Sequence, residues 1–250
     1  MGLLPILDKE NSKEMNQESL IPLFTWWSRK GISLLMILTF LTSGLLMHAQ
    51  HIHATTPENI NSKGTYVFYL HGAIVQRQGA NAVSDRFGAY EYANIVQALA
   101  DKGYQVISEV RPKDAEIVPY ANKVSDEISE LLFSGVPANR ITVVGASMGG
   151  YMTLEVAYKL TNPDLNYAVL GLCSDSAFNY FSKHSGELCG NFFSIYEKSD
   201  DPKSCSKLLD HLNCGKIFKE LALDMGNGHG FLYKPYPEWM NPLSEWIDHH

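Results

Sequence analysis

The sequence predicts an α/β fold, a three-layer α/β/α sandwich around a mostly parallel sheet of about six to eight strands. Short runs rich in β-branched and aromatic residues alternate with helical patterns, the order expected when helices connect parallel strands and cover both sheet faces. The chain has 250 residues, 45% of them hydrophobic, which is enough to bury one sizeable core. We therefore expect a single globular domain over residues 55–250.

Six segments carry the strand pattern, and they are 65–72, 104–110, 141–146, 167–173, 191–197 and 216–223. Helical patterns fall between them, at about 85–102, 119–134, 148–161 and 203–213. A last helix is expected after Pro237, where the spacing places Trp239, Leu243 and Trp246 on one face.

Residues 1–54 differ from the rest of the chain. Arg29 and Lys30 precede an apolar run without charges at 31–48, a pattern typical of a signal peptide or a membrane anchor. The flanking cations predict that the remainder is exported, to the periplasm or outside the cell. Cleavage near Ala49 or Ala54 fits the small-residue rule imperfectly, so an uncleaved anchor stays open. A buried core helix agrees less well with the polar stretch that follows.

The charge of the chain excludes one class of partner. The formal net charge is −7, and no run of Lys or Arg is present that could neutralise the phosphates of a nucleic acid. We expect no nucleic-acid partner, and membrane contact only through the N-terminal segment if it is not cleaved.

All four cysteines lie within the stretch from Cys173 to Cys214, a density that favours two disulfides in an exported protein. The connectivity stays open; the pairs Cys173 with Cys189 and Cys205 with Cys214 would close the shortest loops. No CxxC pair is present, so we expect no zinc or other metal site.

Gly145-Ala146-Ser147-Met148-Gly149 matches G-x-S-x-G between a predicted strand and a predicted helix. A serine at such a corner must take a strained backbone conformation, and the flanking glycines leave room for the strand and helix to approach. Ser147 is therefore the predicted nucleophile.

A serine hydroxyl needs a base, an acid that orients the base, and donors for the oxyanion. His229, in the glycine-rich segment after the last predicted strand, is the predicted base. Asp200, on a loop just past a strand end, is the predicted acid, with Asp201 and Asp175 as alternatives.

The oxyanion donors are expected to be the backbone amides of Met148 and Ala73. Gly72 would allow the turn before Ala73, and His71 would support that loop by hydrogen bonds without taking part in proton transfer.

With LHGA, GASMGG, a later acid and GHGF in this order, residues 64–250 resemble the α/β-hydrolase superfamily. The resemblance implies acyl-enzyme catalysis by Ser147, Asp200 and His229, and no cofactor. It does not specify a substrate, because the superfamily includes esterases, lipases, thioesterases and peptidases.

Only about 17 residues separate Cys173 from Asn191, too few for the lid of larger members. An open site suits a small or exposed ester. Phe178, Tyr180 and Phe181 would either line an acyl groove or pack against the core, and packing is favoured.

The function predicted from these observations is cleavage of a carboxylic ester or related acyl bond in a small molecule. Two alternatives stay open. One is a peptidase or acyltransferase with the same triad, and the other is a non-catalytic binding protein of the same fold. The acyl length, the acceptor and the oligomeric state are not encoded in these motifs.

Overall fold

The computed structural model describes residues 51–184, 186–201, 203–209 and 214–250. The apolar run at 31–48 lies outside the described residues, so its role as signal peptide or anchor stays a prediction. No helix in the described part of the chain is long and apolar enough to cross a bilayer.

Within the described residues, the main sheet has seven strands in the order β1-β5-β2-β6-β7-β8-β9, and every neighbouring pair is parallel. Its strands are β1 (Ile52–His53), β2 (Tyr66–Leu70), β5 (Gln105–Ile107), β6 (Ile141–Ala146), β7 (Asn166–Leu170), β8 (Cys189–Glu197) and β9 (Cys214–Leu223). Between β2 and β5, the short strands β3 (Val83–Ser84) and β4 (Gly88–Ala89) form a separate antiparallel hairpin.

Helices connect the strands, as parallel pairing requires. They are α1 (Ala73–Gln78), α2 (Tyr92–Ala100), α3 (Ile117–Phe133), α4 (Met148–Leu160), α5 (Asp175–Phe181), α6 (Ser206–Leu209) and α7 (Pro237–His249). Two short 3₁₀ helices, Ala138–Arg140 and Gly228–Tyr233, precede β6 and α7.

Each sheet face has its own hydrophobic core, because successive side chains of a strand point to opposite faces. Val67 and Tyr69 face a core that includes residues of α2 and α7. Tyr66 and Phe68 face the other core, with residues of α3, α4 and α5. The predicted α/β/α sandwich is thus confirmed, and Trp239, Leu243 and Trp246 of α7 are all buried as expected.

Two parts of the sheet region differ from the sequence prediction. Residues 52–53, assigned to the polar flank of the targeting segment, form the edge strand β1, and the N–H of Val106 donates to the carbonyl of His51 at 2.7 Å. The helix expected over 85–102 begins only at Tyr92. Residues 83–89 form the β3–β4 hairpin instead, which turns over residues 85–87 and continues at Gly88 with a φ of 76°.

The disulfides join Cys173 to Cys205 and Cys189 to Cys214, so the pairing that closes the shortest loops is wrong. Strand register decides one bond, because Cys189 and Cys214 are direct partners on the neighbouring strands β8 and β9. For the other bond, the N–H of Lys203 donates to the carbonyl of Cys173, which brings the loop after β8 beside the end of β7.

Candidate active site

Ser147 lies at the corner between β6 and α4, with φ 52° and ψ −113°. Within the described residues only Thr161 shares a positive φ among non-glycine residues. Such a conformation costs about 1–3 kcal/mol and persists only where the surroundings impose it. The backbone at Ser147 is therefore held in a strained conformation, as the motif predicts.

The glycines of the motif allow a very close contact between helix and strands. A Cβ atom at Gly149 would lie 1.9 Å from the carbonyl oxygen of Leu70, and one at Gly145 would lie 2.2 Å from Thr153 Oγ1. Neither position can accommodate a side chain. The start of α4 is thus pressed against the ends of β2 and β6, and Ser147 sits at that junction.

His229 lies in the 3₁₀ helix after β9, and Asp200 lies on the loop after β8. His229 Nδ1 and Asp200 Oδ2 are 2.5 Å apart, and Asp200 is buried. A carboxylate that fixes Nδ1 leaves Nε2 to face a nucleophile. Of the three acids considered from sequence, the structure brings Asp200 to His229, while Asp201 donates its N–H to Asp200 Oδ1 at 2.8 Å.

Ser147 and His229 border the same backbone segment, Leu170–Gly171 at the end of β7. The N–H of Ser147 donates to the Leu170 carbonyl at 2.8 Å, and a Cβ at Gly171 would lie 3.3 Å from His229 Cε1. In the part of the chain that the structure describes, no hydrogen bond links the Ser147 hydroxyl to His229. Such contacts are often long without substrate and shorten in the reacting complex.

Glu197, which ends β8, holds the acid loop and the histidine loop together. Its buried carboxylate accepts the N–H groups of Met225 at 2.9 Å and Gly226 at 3.3 Å, and the Ser199 hydroxyl at 3.1 Å. Burial raises the pKa of Glu197, but the hydrogen bonds, with that from Met225 foremost, outweigh it and lower the pKa. Ser199 Oγ in turn accepts the N–H of Gly228 at 3.0 Å. No sequence motif predicts this role for Glu197.

The predicted oxyanion donors lie beside Ser147. A Cβ at Gly72 would be 3.7 Å from the Ser147 Cβ, so the turn before Ala73 adjoins the nucleophile. Ala73 and Met148 are the first residues of α1 and α4, so neither N–H has an acceptor one turn earlier in its own helix. Neither amide is therefore held in a hydrogen bond within its own helix.

His71 is completely buried behind this turn. Its Nδ1 lies 2.9 Å from the Gly72 carbonyl oxygen, and its Nε2 lies 3.0 Å from the backbone nitrogen of Arg111. The N–H of Arg111 can only donate, so Nε2 accepts and Nδ1 carries the proton. Burial, followed by the charge of Arg111, lowers the pKa of His71 to about 3. The ring is therefore neutral at physiological pH and suits a bracing role.

Similarity to solved structures agrees with this architecture. The virulence factor BioJ from Francisella aligns with a TM-score of 0.51 and 12% identity, over 78% of this chain and 79% of BioJ. The chain has the α/β-hydrolase fold.

Two further structures align with lower TM-scores. For 2-hydroxy-6-oxo-6-phenylhexa-2,4-dienoate hydrolase from Rhodococcus, the TM-score is 0.45 at 14% identity, over 76% of this chain and 92% of the hydrolase. For a bacterial membrane phospholipase A, the TM-score is 0.47 at 11% identity, over 89% of this chain and 100% of the phospholipase. No protein family model and no curated protein matches the sequence.

In this α/β-hydrolase fold, α5 is the only helix among the described residues of the connection between β7 and β8. Phe181 is buried, and the Tyr180 hydroxyl donates to Glu155 Oε1 at 2.8 Å. Together with Phe178, these residues pack against the core of the α3–α5 face, in line with the favoured packing interpretation.

One group of metal-ligand side chains clusters in the described residues, and it consists of Glu187, Cys189 and Cys214. Both sulfurs belong to one disulfide, so they offer no thiolate to a metal ion.

Proposed function

We propose that the chain is a serine hydrolase that cleaves a carboxylic ester or a related acyl bond. The proposal rests on two features that border the same Leu170–Gly171 segment, the strained Ser147 and the His229–Asp200 pair. A nucleophile on one side of this segment and an oriented base on the other is the arrangement that acyl transfer requires. Ser147, His229 and Asp200 are the proposed catalytic residues.

The proposed reaction has two steps. Ser147 Oγ attacks the carbonyl carbon while His229 Nε2 takes its proton, and Asp200 stabilises the imidazolium that forms. The Ala73 and Met148 amides stabilise the oxyanion, which collapses as His229 returns the proton to the leaving group. Water then repeats the sequence on the acyl-enzyme, which releases the acid and restores Ser147.

The short connection between β7 and β8 bears on the proposed substrate, and the two disulfides bear on the proposed location of the protein. In the described part of the connection between β7 and β8, α5 is the only helix, which leaves little chain to enclose a long acyl group and favours small or exposed esters. Two disulfides persist in an oxidising compartment, which supports export to the periplasm or the exterior.

The test is hydrolysis of nitrophenyl esters from acetate to palmitate by the oxidised chain and its variants. Ser147→Ala and His229→Ala are expected to lower kcat by roughly 10⁴-fold or more, and Asp200→Asn by about 10⁴-fold. Asp201→Asn, one residue away and exposed, is the matched control and should retain activity. Ester cleavage that survives Ser147→Ala would overturn the proposal.

A further inference from the structure

A buried arginine, Arg111, lies behind the loop that carries the proposed oxyanion donor. Its side chain is 1% exposed, and its Nη2 donates to the carbonyl oxygen of His71 at 2.5 Å. Its backbone N–H donates to His71 Nε2 at 3.0 Å. Arg111, on the segment that follows β5, thus forms hydrogen bonds with both the backbone and the side chain of His71, the residue that precedes Gly72.

The same arginine also fastens the far end of the short helix α1. Arg111 Nε donates to Gln76 Oε1 at 3.0 Å, and Gln76 Nε2 donates to the carbonyl of Ala115 at 2.9 Å. His71 precedes α1, and Gln76 lies in its last turn. The Ala73 amide lies between these two fastened points, so its direction depends on both.

The charge of Arg111 has no carboxylate partner in the described residues, and Nη1 has no hydrogen-bond partner there. Besides these neutral hydrogen-bond acceptors, the Tyr120 ring lies near the guanidinium, with its centroid 5.5 Å from Cζ. Burial of an unpaired cation is costly, and an apolar side chain of similar volume would avoid that cost. Stability therefore does not explain the choice of arginine at this position.

We infer that Arg111 is a positioning residue, which holds the Gly72–Ala73 turn in the conformation that binds the oxyanion and places a buried positive charge behind it. The inference rests on the proposed function and extends it to a residue with no recognisable sequence motif. A buried charge acts through a low dielectric, so it favours negative charge that develops at the turn more strongly than a surface charge would.

The experiment compares Arg111→Met and Arg111→Lys with wild type, by kcat, by KM for a neutral nitrophenyl ester and by inhibition with phenylboronic acid. The boron atom accepts an electron pair from Ser147 Oγ while the serine proton passes to His229, so the adduct is a tetrahedral anion like the oxyanion intermediate. Arg111→Met is expected to lower kcat and boronate affinity in parallel, each on the order of 10²-fold, with KM nearly unchanged. Arg111→Lys keeps the charge but not the forked contacts, so it should fall between.

Arg140→Met is the matched control. Arg140 directly precedes β6, at the opposite end of that strand from Ser147, and its exposed side chain donates to the Lys63 carbonyl. It should leave both measurements unchanged. Arg111→Met that retains kcat and boronate affinity, or that raises KM in step with the boronate constant, would overturn the inference.

If Arg111→Met does not fold, Arg111→Lys and Gln76→Leu provide the test through the same two measurements, kcat and boronate affinity relative to wild type. Wild-type kcat and boronate affinity in both variants would overturn the inference. Failure of the proposed function is distinguishable, because wild type itself would then cleave no ester and bind no boronate covalently.

Discussion

At the scale of single residues, the site depends on glycines, whose lack of a side chain lets backbone segments approach closely. Gly149 and Gly150 are neighbours in α4, yet only Gly149 meets backbone, with its added Cβ 1.9 Å from the Leu70 carbonyl oxygen. At Gly150 the three atoms nearest to the added Cβ all belong to the Leu172 side chain, the closest at 3.2 Å. Backbone cannot move aside as a side chain can.

We therefore expect Gly149→Ala to destabilise the domain by more than about 3 kcal/mol and to abolish activity, while Gly150→Ala costs about 1 kcal/mol or less. Urea unfolding of the two variants measures the difference. Equal stability of the pair would contradict the close approach of α4 to β2.

The buried His71 predicts a pH dependence of stability. Its folded pKa of about 3 lies below its ordinary value of 6.5. Between these values the unfolded chain holds a proton on this ring that the folded chain does not, so the folded state loses stability as pH falls, by up to about 1.4 kcal/mol per pH unit. His71→Gln keeps a donor and an acceptor but does not titrate.

Urea unfolding between pH 7.5 and pH 4.5 should therefore give a flatter pH dependence for His71→Gln than for wild type. The exposed His249→Gln is the control and should keep the wild-type slope. An unchanged slope in His71→Gln would show that His71 does not lose its proton on folding.

Sequence and structure agree at this scale where the signal is local. G-x-S-x-G between a strand and a helix predicts the strained corner at Ser147, because the backbone geometry follows from adjacent residues. The position just past a strand end favoured Asp200, but Asp175 and Asp201 stayed open as alternatives, since the choice depends on how two loops meet. Arg111 gave no signal at all, because only tertiary packing distinguishes a buried arginine from an exposed one.

At the scale of elements, the two disulfides have different expected roles. They close loops of similar sequence separation, 32 and 25 residues, so the chain-entropy argument gives each about 3.5 kcal/mol. Cys189–Cys214 links two strands that already pair along β8 and β9. Cys173–Cys205 instead ties the segment after β7 to the loop that carries Asp200.

Replacement of Cys173 and Cys205 by alanine should therefore lower kcat on the order of tenfold or more, because it frees the acid from its position. Replacement of Cys189 and Cys214 should reduce stability by a similar amount but leave kcat unchanged well below the unfolding temperature. Ester kinetics at low temperature, alongside thermal unfolding, separates the two effects. Equal kcat in both double variants would contradict a role for Cys173–Cys205 in positioning Asp200.

The connectivity was not predictable from loop lengths, because strand order decides which cysteines meet. The late start of α2 has a similar cause. Residues 85–91 fit a helical pattern locally, but Phe87 packs against Tyr233, with ring centroids 5.3 Å apart, and that contact fixes the β3–β4 hairpin beside the histidine loop.

At the scale of the whole molecule, the alternation of strands and helices was sufficient to predict the parallel sandwich. The edge strand β1 was not predicted, because two residues carry no periodicity. It is nevertheless fastened to β5: the Ser108 N–H donates to the His53 carbonyl at 2.8 Å, and Gln105 contacts His51 at 2.8 Å and His53 at 3.0 Å.

A chain that begins at residue 50 should therefore be more stable than one that begins at residue 55, by about 1–3 kcal/mol from two lost backbone hydrogen bonds. Urea unfolding measures this difference. The result also bears on processing, because cleavage after Ala49 would keep β1 and cleavage after Ala54 would remove it. Equal stability would show that β1 contributes nothing to the sheet.

The most direct test of the proposed serine hydrolase is reaction of the oxidised, folded chain with a fluorophosphonate probe, followed by intact-mass and peptide mass spectrometry. Fluoride leaves phosphorus as the activated serine oxygen attacks, so labelling requires both nucleophile and base. We predict one probe per chain on Ser147, and none in Ser147→Ala or His229→Ala. A folded wild-type chain that stays unlabelled, or one that is labelled at a different serine, would contradict the account.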